Sequence, residues 1–77
     1  MSELLEELRH VRRLPPPTLA RAIRKAAEVS QERMADELGV HRVTVARWEA
    51  GQRRPRGRLL HAYVALLDAL QQETHHR

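Results

Sequence analysis

The hydrophobic residues of this chain recur at helical spacing, and no segment alternates between apolar and polar positions as a half-buried strand would. The first apolar stripe predicts a helix over Ser2–Arg13, and its members are Leu4, Leu5, Leu8 and Val11. Acidic side chains come early in this helix and basic ones late, as the helix dipole favours. An isolated helix of this length is marginal in water, so we expect it to dock on its own domain or on a second copy of the chain.

Three consecutive prolines, Pro15–Pro17, end the first helix, and four more helices are predicted after them. Their ranges are Leu19–Ala27, Gln31–Leu38, Arg42–Ala50 and Arg58–Gln72. The residues that the first of these should bury are Leu19, Ala22, Ile23, Ala26 and Ala27. The last helix is the most apolar, and its stripe consists of Leu59, Leu60, Tyr63, Leu66, Leu67 and Leu70. Val64 lies off that stripe and is expected to be exposed.

This pattern predicts a compact all-α domain of four to five helices. Within it, residues 1–14 form an N-terminal amphipathic helix and residues 18–72 form the main unit. The length of 77 residues suits one small domain.

Two short helices in the middle of the chain are joined by a tight turn at Gly39, which permits the positive backbone angle that such a turn needs. Ser30 is placed to cap the first of the two helices. Ala35 is small enough to let the two helices cross closely, and Val40 and Val45 are apolar pegs that hold the second helix in place. This spacing is typical of a helix-turn-helix, whose second helix enters the major groove of DNA.

The positive charge of the chain is concentrated in one stretch, and its position suggests a function. The net charge is +4, but the stretch from His41 to Arg58 holds six arginines and only one acid, Glu49, so that it carries +5 while the rest carries −1. A basic patch on a nearly neutral body is the electrostatic footprint of a protein that binds a polyanion. The basic stretch could also be an ordinary solvated surface. The adjoining helix-turn-helix favours polyanion binding over that interpretation.

Several classes of function are disfavoured by what the chain lacks. It has no cysteine, no apolar run of membrane-spanning length and no signal-peptide pattern, so we expect a cytoplasmic protein. Its five histidines lack the spacing of metal ligands, and no catalytic triad, paired carboxylates or phosphate-binding glycine loop is present. We therefore expect no enzyme activity, no cofactor, no metal and no small-molecule ligand.

The segment from about Leu19 to Leu70 resembles the Cro and C1-type (XRE-like) helix-turn-helix repressor family. The residues that carry the resemblance are Arg24, Ser30, Gln31, Met34, Ala35, Leu38, Gly39, Val40, Val45, Trp48, Glu49, Gly51 and Pro55. The resemblance implies a fold similar to that of the lambda repressor and binding to a double-stranded DNA operator. Such a protein is expected to be a small regulator of a bacterium, phage or plasmid, acting at the bacterial nucleoid.

The resemblance also implies roles for single residues. The outward positions of the recognition helix, residues 42–50, are those that read base edges, and here they are Arg42, Val43, Thr44 and Arg47. Arginine fits this role because its two parallel N–H groups match O6 and N7 of guanine. A contact of Arg47 with phosphate alone is an equally good interpretation, and Thr44 suits either a thymine methyl or a phosphate.

A second group of residues is expected to meet DNA phosphates. The resemblance implies this role for Gln31, Gln52, Arg53 and Arg54, and the charge pattern and position in the chain add His41, Arg56 and Arg58. Arg24 and Glu49 correspond to a partly buried ion pair in relatives, so we expect them to brace the fold. Two positions depart from the family pattern, since Glu28 stands where a glycine is usual and His41 stands where serine or threonine caps the helix.

One recognition helix is too small a surface for high specificity, so we expect a homodimer on a two-fold symmetric site. The candidate dimer surfaces are the stripe of the first helix and the outer face of the last helix near Val64.

Two other interpretations of the sequence stay open. The stretch from Gly39 to Pro55 also resembles the winged helix of MerR-type regulators and excisionases, which would require a β-ribbon. An antitoxin-like interaction module with secondary DNA binding is the other alternative, favoured by the amphipathic N-terminal helix.

Overall fold

The computed structural model describes residues 2–75, and this part of the chain folds into five helices without a strand. In chain order these are α1 (Ser2–Arg13), α2 (Pro17–Ala26), α3 (Gln31–Leu38), α4 (Arg42–Glu49) and α5 (Gly57–His75). The predicted all-α class is confirmed. A winged helix needs a β-ribbon directly after α4, and residues 57–75 form α5 instead, which removes that alternative.

The helix ends follow the local chemistry of the sequence. Pro17 is the first residue of α2, where its missing N–H is not needed. The hydroxyl of Ser30 accepts a hydrogen bond from the Arg33 backbone N–H at 3.0 Å and so caps α3 as predicted. Gly39 ends α3 with φ of +70°. The side chain of His41 makes no capping hydrogen bond at the start of α4.

Glu28 adopts the left-handed backbone conformation, with φ of +59°, that a glycine would adopt more readily. The turn is closed by backbone hydrogen bonds from the Glu28 N–H to the Lys25 carbonyl and from the Val29 N–H to the Arg24 carbonyl. Glu28 therefore adopts the left-handed conformation of this turn although it is not a glycine.

The core lies where α2, α3, α4 and α5 meet, and its buried members include Ala20, Ile23, Met34, Ala35, Val45, Trp48, Tyr63 and Leu67. Two predictions about burial were wrong. Leu19 is 48% exposed, and Ala22 and Ala26 are also exposed, because α2 turns Ala20, Ile23 and Arg24 inward. Val64 is only 1% exposed, because α5 is contacted by α1, α2 and α3 and therefore buries a wide arc of its surface.

α1 docks on α5 through polar side chains. The imidazoles of His10 and His61 stack in parallel with ring centroids 3.8 Å apart, and Arg13 forms an ion pair with Asp68. No residue of α1 is buried, although Leu14 just beyond its end packs against the core. All four members of the apolar stripe of α1 consequently remain exposed.

Tyr63 lies at the centre of the core with its ring 4.8 Å from that of Trp48. Its hydroxyl is buried and has no hydrogen-bond partner within the described range of 2–75. Burial, with the nearby Glu49 carboxylate, raises the pKa of Tyr63 to about 12. The hydroxyl has therefore lost its hydration without gaining a replacement.

Tyr63→Phe is accordingly expected to raise the free energy of unfolding by about 1 kcal/mol, because it removes a buried polar group that has no partner. Urea denaturation of the wild type and the variant measures this change. Tyr63→Leu serves as the control: it also lacks the hydroxyl but loses the packing on Trp48, so it should be less stable than Tyr63→Phe. A Tyr63→Phe variant less stable than the wild type would mean that the hydroxyl is hydrogen-bonded.

Candidate nucleic-acid interface

The pair α3 and α4, joined at Gly39, presents a short helix on the surface of the domain. α4 is attached by Val45 and Trp48, which are buried in the core. Its opposite side carries the exposed residues Arg42, Val43 and Arg47. Val43, the apolar member of this set, is 46% exposed. These are the outward positions that the sequence predicted for the recognition helix.

Arg24 and Glu49 lock α2 to the end of α4 through a buried ion pair. Arg24 Nε donates to Glu49 Oε2 at 2.6 Å, and Arg24 Nη2 donates to Glu49 Oε1 at 3.0 Å, so the guanidinium is bidentate. Arg24 Nη1 donates to the Val29 carbonyl at 2.8 Å and thereby also fixes the turn before α3. The brace predicted from the resemblance therefore connects three segments of the domain.

The carboxylate of Glu49 stays charged inside the protein. Burial by itself would raise the pKa of Glu49, but the hydrogen bonds from Arg24 and Gln31 outweigh it and lower that pKa below its ordinary value. The hydrogen bond to Glu49 correspondingly raises the pKa of Arg24. Both side chains are therefore ionised across the physiological pH range.

Gln31 links the Arg24–Glu49 ion pair to Arg42 of the recognition helix. Its Nε2 donates to Glu49 Oε1 at 3.1 Å, and its Oε1 accepts from Arg42 Nη1 at 3.3 Å. The chain of polar contacts thus runs from buried Arg24 to the exposed guanidinium of Arg42. In the free protein the amide of Gln31 accepts a hydrogen bond from Arg42, whereas the sequence predicted only a phosphate contact for Gln31.

The loop after α4 folds back onto the end of that helix. The backbone N–H groups of Gln52 and Arg53 both donate to the Arg47 carbonyl, at 2.9 and 3.3 Å, and Gly51 has φ of +74°. This fold-back keeps the start of the loop against the end of α4, and the arginines of the loop stay exposed.

The loop and α4 form one side of a groove of about 1090 Å³, which we call the arginine groove. Its polar lining is Thr44, Arg47, Gln52, Arg53, Arg54 and Arg56. Its apolar lining includes Trp48, Pro55, Leu59 and Leu60. The groove therefore brings together six of the predicted site residues, and the exposed residues His41, Arg42, Val43 and Arg58 lie outside its lining.

Glu7 and Val11 of α1 also line the arginine groove, a position that the sequence did not predict for either residue. The periodicity of α1 predicts a helix that must dock, but it does not reveal which neighbour the helix reaches. The position of α1 is set by its contacts with α5, and these contacts place one acidic side chain beside the arginines.

The described residues contain no cluster of three or more side chains that would hold a metal ion. None of the five helices in residues 2–75 combines the length and the hydrophobicity of a membrane span.

An all-α domain with an exposed helix held in a helix-turn-helix beside an arginine-rich groove defines a helix-turn-helix DNA-binding domain. The helix-turn-helix family model matches residues 21–69, which is more than half of the chain. The chain belongs to the Cro/C1-type helix-turn-helix family and is a DNA-binding transcription regulator of that family. No curated protein and no solved structure matches it significantly.

Proposed function

We propose that the protein is a small, Cro-like repressor of bacterial or phage type that binds a palindromic operator as a homodimer. In this proposal residues 18–72 form the DNA-binding domain, and α4 with Ala50 lies in the major groove. The observation that carries it is the joint exposure of Arg42, Val43 and Arg47 on one side of α4, beside the arginine groove. An α-helix fits the major groove, where each base pair presents a distinct pattern of donors and acceptors.

Arg42 and Arg47 are the residues that we propose to read guanine. Both are exposed, and Gln31 holds Arg42 in position before DNA arrives, which lowers the entropy cost of the contact. Val43 is suited to the methyl group of thymine, because an exposed apolar side chain gains by leaving water. Thr44 is half-buried in the lining of the arginine groove. In this proposal its side chain contacts either a base or a phosphate.

The phosphates are assigned to the arginine groove and its surroundings. Arg53, Arg54 and Arg56 are exposed along the loop, next to Gln52. His41 and Gln31 lie at the starts of α4 and α3, where a phosphate would also meet free backbone N–H groups. Arg58 in the first turn of α5 extends this basic surface. The partner is double-stranded DNA in the cytoplasm of a bacterial host.

We expect Arg42→Ala and Arg47→Ala each to reduce the preference for the operator over unrelated duplexes by about 5- to 150-fold, which corresponds to about 1–3 kcal/mol for a bidentate base contact. The operator is first selected from a random pool of duplexes, and binding to selected and scrambled duplexes is then compared. Arg42→Lys is the matched variant, since it keeps the charge but loses the bidentate fork and should also lose preference.

Arg53→Ala is the control for a phosphate contact, and it should weaken binding to all duplexes alike. A loss of sequence preference in Arg53→Ala, or an unchanged preference in both Arg42→Ala and Arg47→Ala, would contradict these assignments. Absence of salt-dependent duplex binding by the wild type would overturn the proposed function itself.

The exposed stripe of α1 favours a second candidate, an antitoxin-like module whose terminal helix binds another protein. The size of the purified chain separates the two candidates. Self-association of the chain supports the repressor, whereas a chain that remains monomeric at all concentrations and on DNA supports the interaction module.

A further inference from the structure

The largest exposed apolar feature of residues 2–75 is the stripe of α1. Its members Leu4, Leu5, Leu8 and Val11 are 56%, 50%, 44% and 43% exposed. Of the other large exposed apolar side chains, Leu19 stands alone on α2 and Val43 faces the proposed DNA side. Val64, the other candidate for a dimer contact, is buried. The stripe is therefore the remaining apolar surface on which a second copy would pack.

The way α1 docks on α5 leaves its apolar stripe available to a second molecule. α1 uses His10 and Arg13 to contact α5, and these residues lie on the side of the helix away from the stripe. An amphipathic helix that only completed its own domain would turn its apolar side inward. Here His10 and Arg13 face the domain. Of the stripe, Val11 also lines the arginine groove, and its three leucines are exposed.

The charges beside the stripe show what kind of partner fits it. The spacing of Leu4, Leu8 and Val11 is four residues and then three, which is the spacing of a two-stranded coiled coil. Helical periodicity places Glu7 on one edge of this seam and Leu5 and Arg12 on the other, with Glu3 and Arg9 further round the helix. One edge thus carries an acidic side chain and the other a basic one.

We propose that α1 pairs in parallel with α1 of a second copy of the chain, forming the contact that holds the homodimer together. In a parallel pair, the acidic edge of each helix faces the basic edge of its partner. Glu7 then lies opposite Arg12 of the partner subunit, five residues further along, and the contact is made twice by symmetry. An antiparallel pair would instead bring the two acidic edges together and set Glu7 against its own copy.

The contact is weak in solution. A helix of this length is about 18 Å long, and one such pair buries less than the roughly 1,200–2,000 Å² of a stable interface. When two chains bind neighbouring half-sites, the second α1 is present at high effective concentration, and pairing becomes favourable. This inference rests on the proposed homodimer, and it adds that the dimer forms mainly on DNA.

The absence of cysteine from the sequence allows a direct test by disulfide trapping. In a parallel pair Leu4 lies beside Leu4 of the partner subunit, so Leu4→Cys should form a disulfide-linked dimer under mild oxidation with copper phenanthroline. Operator DNA should increase the yield. Leu19→Cys is the matched control, with similar exposure on α2, and it should stay monomeric. Because no α1 residue is buried, Leu4→Cys should fold like the wild type.

Three results would overturn the proposal. Disulfides that form only when Leu4→Cys is mixed with Val11→Cys would mean an antiparallel pair. Equal trapping of Leu4→Cys and Leu19→Cys would mean random collision. No trapping of Leu4→Cys on duplexes that hold two chains would place the dimer contact elsewhere, while the proposed function would stand. Failure of the wild type to bind any duplex, in contrast, would count against the proposed function.

Charge reversal gives an independent readout. Sedimentation without DNA, at protein concentrations high enough to populate the weak dimer, measures self-association, which Glu7→Arg or Arg12→Glu should weaken about tenfold by placing like charges opposite each other. The double variant should recover the wild-type association. Stronger association of Glu7→Arg alone would indicate that two Glu7 side chains face each other, and would overturn the parallel arrangement.

Discussion

Glu49→Ala is expected to lower the free energy of unfolding by about 3–5 kcal/mol, the largest effect of any single substitution proposed for this protein. The variant leaves the Arg24 guanidinium buried without its carboxylate, and it removes an acceptor from Gln31. A domain of 77 residues has a total stability of about 4–12 kcal/mol, so this loss is a large fraction of the free energy of unfolding. Urea denaturation followed by circular dichroism measures the change.

The ion pair also predicts the acid sensitivity of the fold. The pKa of Glu49 is lowered in the folded chain, so folding favours its ionised form. The stabilisation is therefore present above the ordinary glutamate pKa and is lost as the pH falls through the lowered value. The stability difference between the wild type and Glu49→Ala should shrink accordingly when urea denaturation is repeated in acid.

Two further variants show whether the ion pair is the cause. Glu37→Ala removes an exposed acid from α3, and it should change stability by no more than about 0.5 kcal/mol. The double variant Arg24→Met with Glu49→Leu removes both charges together and should be more stable than Glu49→Ala. A Glu49→Ala variant as stable as Glu37→Ala would mean that the buried pair contributes nothing to the fold.

The helix-turn-helix is the part of the fold that the sequence predicts best, because its constraints are local. The capping hydroxyl of Ser30, the left-handed turn at Gly39 and the inward pegs Val45 and Trp48 each follow from neighbours within a few residues. The clustering of arginines near α4 is also visible in the sequence, since one helix and the loop after it carry them. Local spacing therefore sufficed to find the family.

The errors arose where burial depends on distant contacts. Val64 lies off the main stripe of α5, but three other helices contact α5 and Val64 is buried. Leu19 has the chemistry of a core residue, yet the start of α2 at Pro17 and the buried Arg24 turn it outward. The sequence also could not predict which side of α1 faces α5. The periodicity of a helix identifies its apolar side but not its neighbours.

The hydrogen bonds of Gln31 show a similar limit within the candidate interface. A glutamine at the first position of α3 suggests a phosphate contact through the family resemblance. Its bridging position between Glu49 and Arg42 depends on how α3 crosses α4, which only the folded structure shows. The assignment of single residues to bases or phosphates remains a proposal that binding measurements decide.

Raising the salt concentration from about 50 to about 200 mM is expected to weaken operator binding by about 10³- to 10⁵-fold. Each phosphate neutralised by an arginine releases condensed counterions, and the homodimer should neutralise about 6–10 phosphates. The basic surface that carries this effect is the arginine groove with Arg58 beside it. Fluorescence anisotropy with a labelled duplex at several salt concentrations gives the slope of log affinity against log salt.

Arg53→Ala and Arg54→Ala should each reduce that slope by about 2, because every variant removes two arginines per homodimer and each contributes close to 1. Affinity should fall for operator and random duplexes alike. Lys25→Ala is the charge-matched control, since Lys25 is exposed at the end of α2 and does not line the groove. A decrease in slope for Lys25→Ala equal to that for Arg53→Ala would show that net charge governs binding, and would contradict the assignment of the phosphates to the arginine groove.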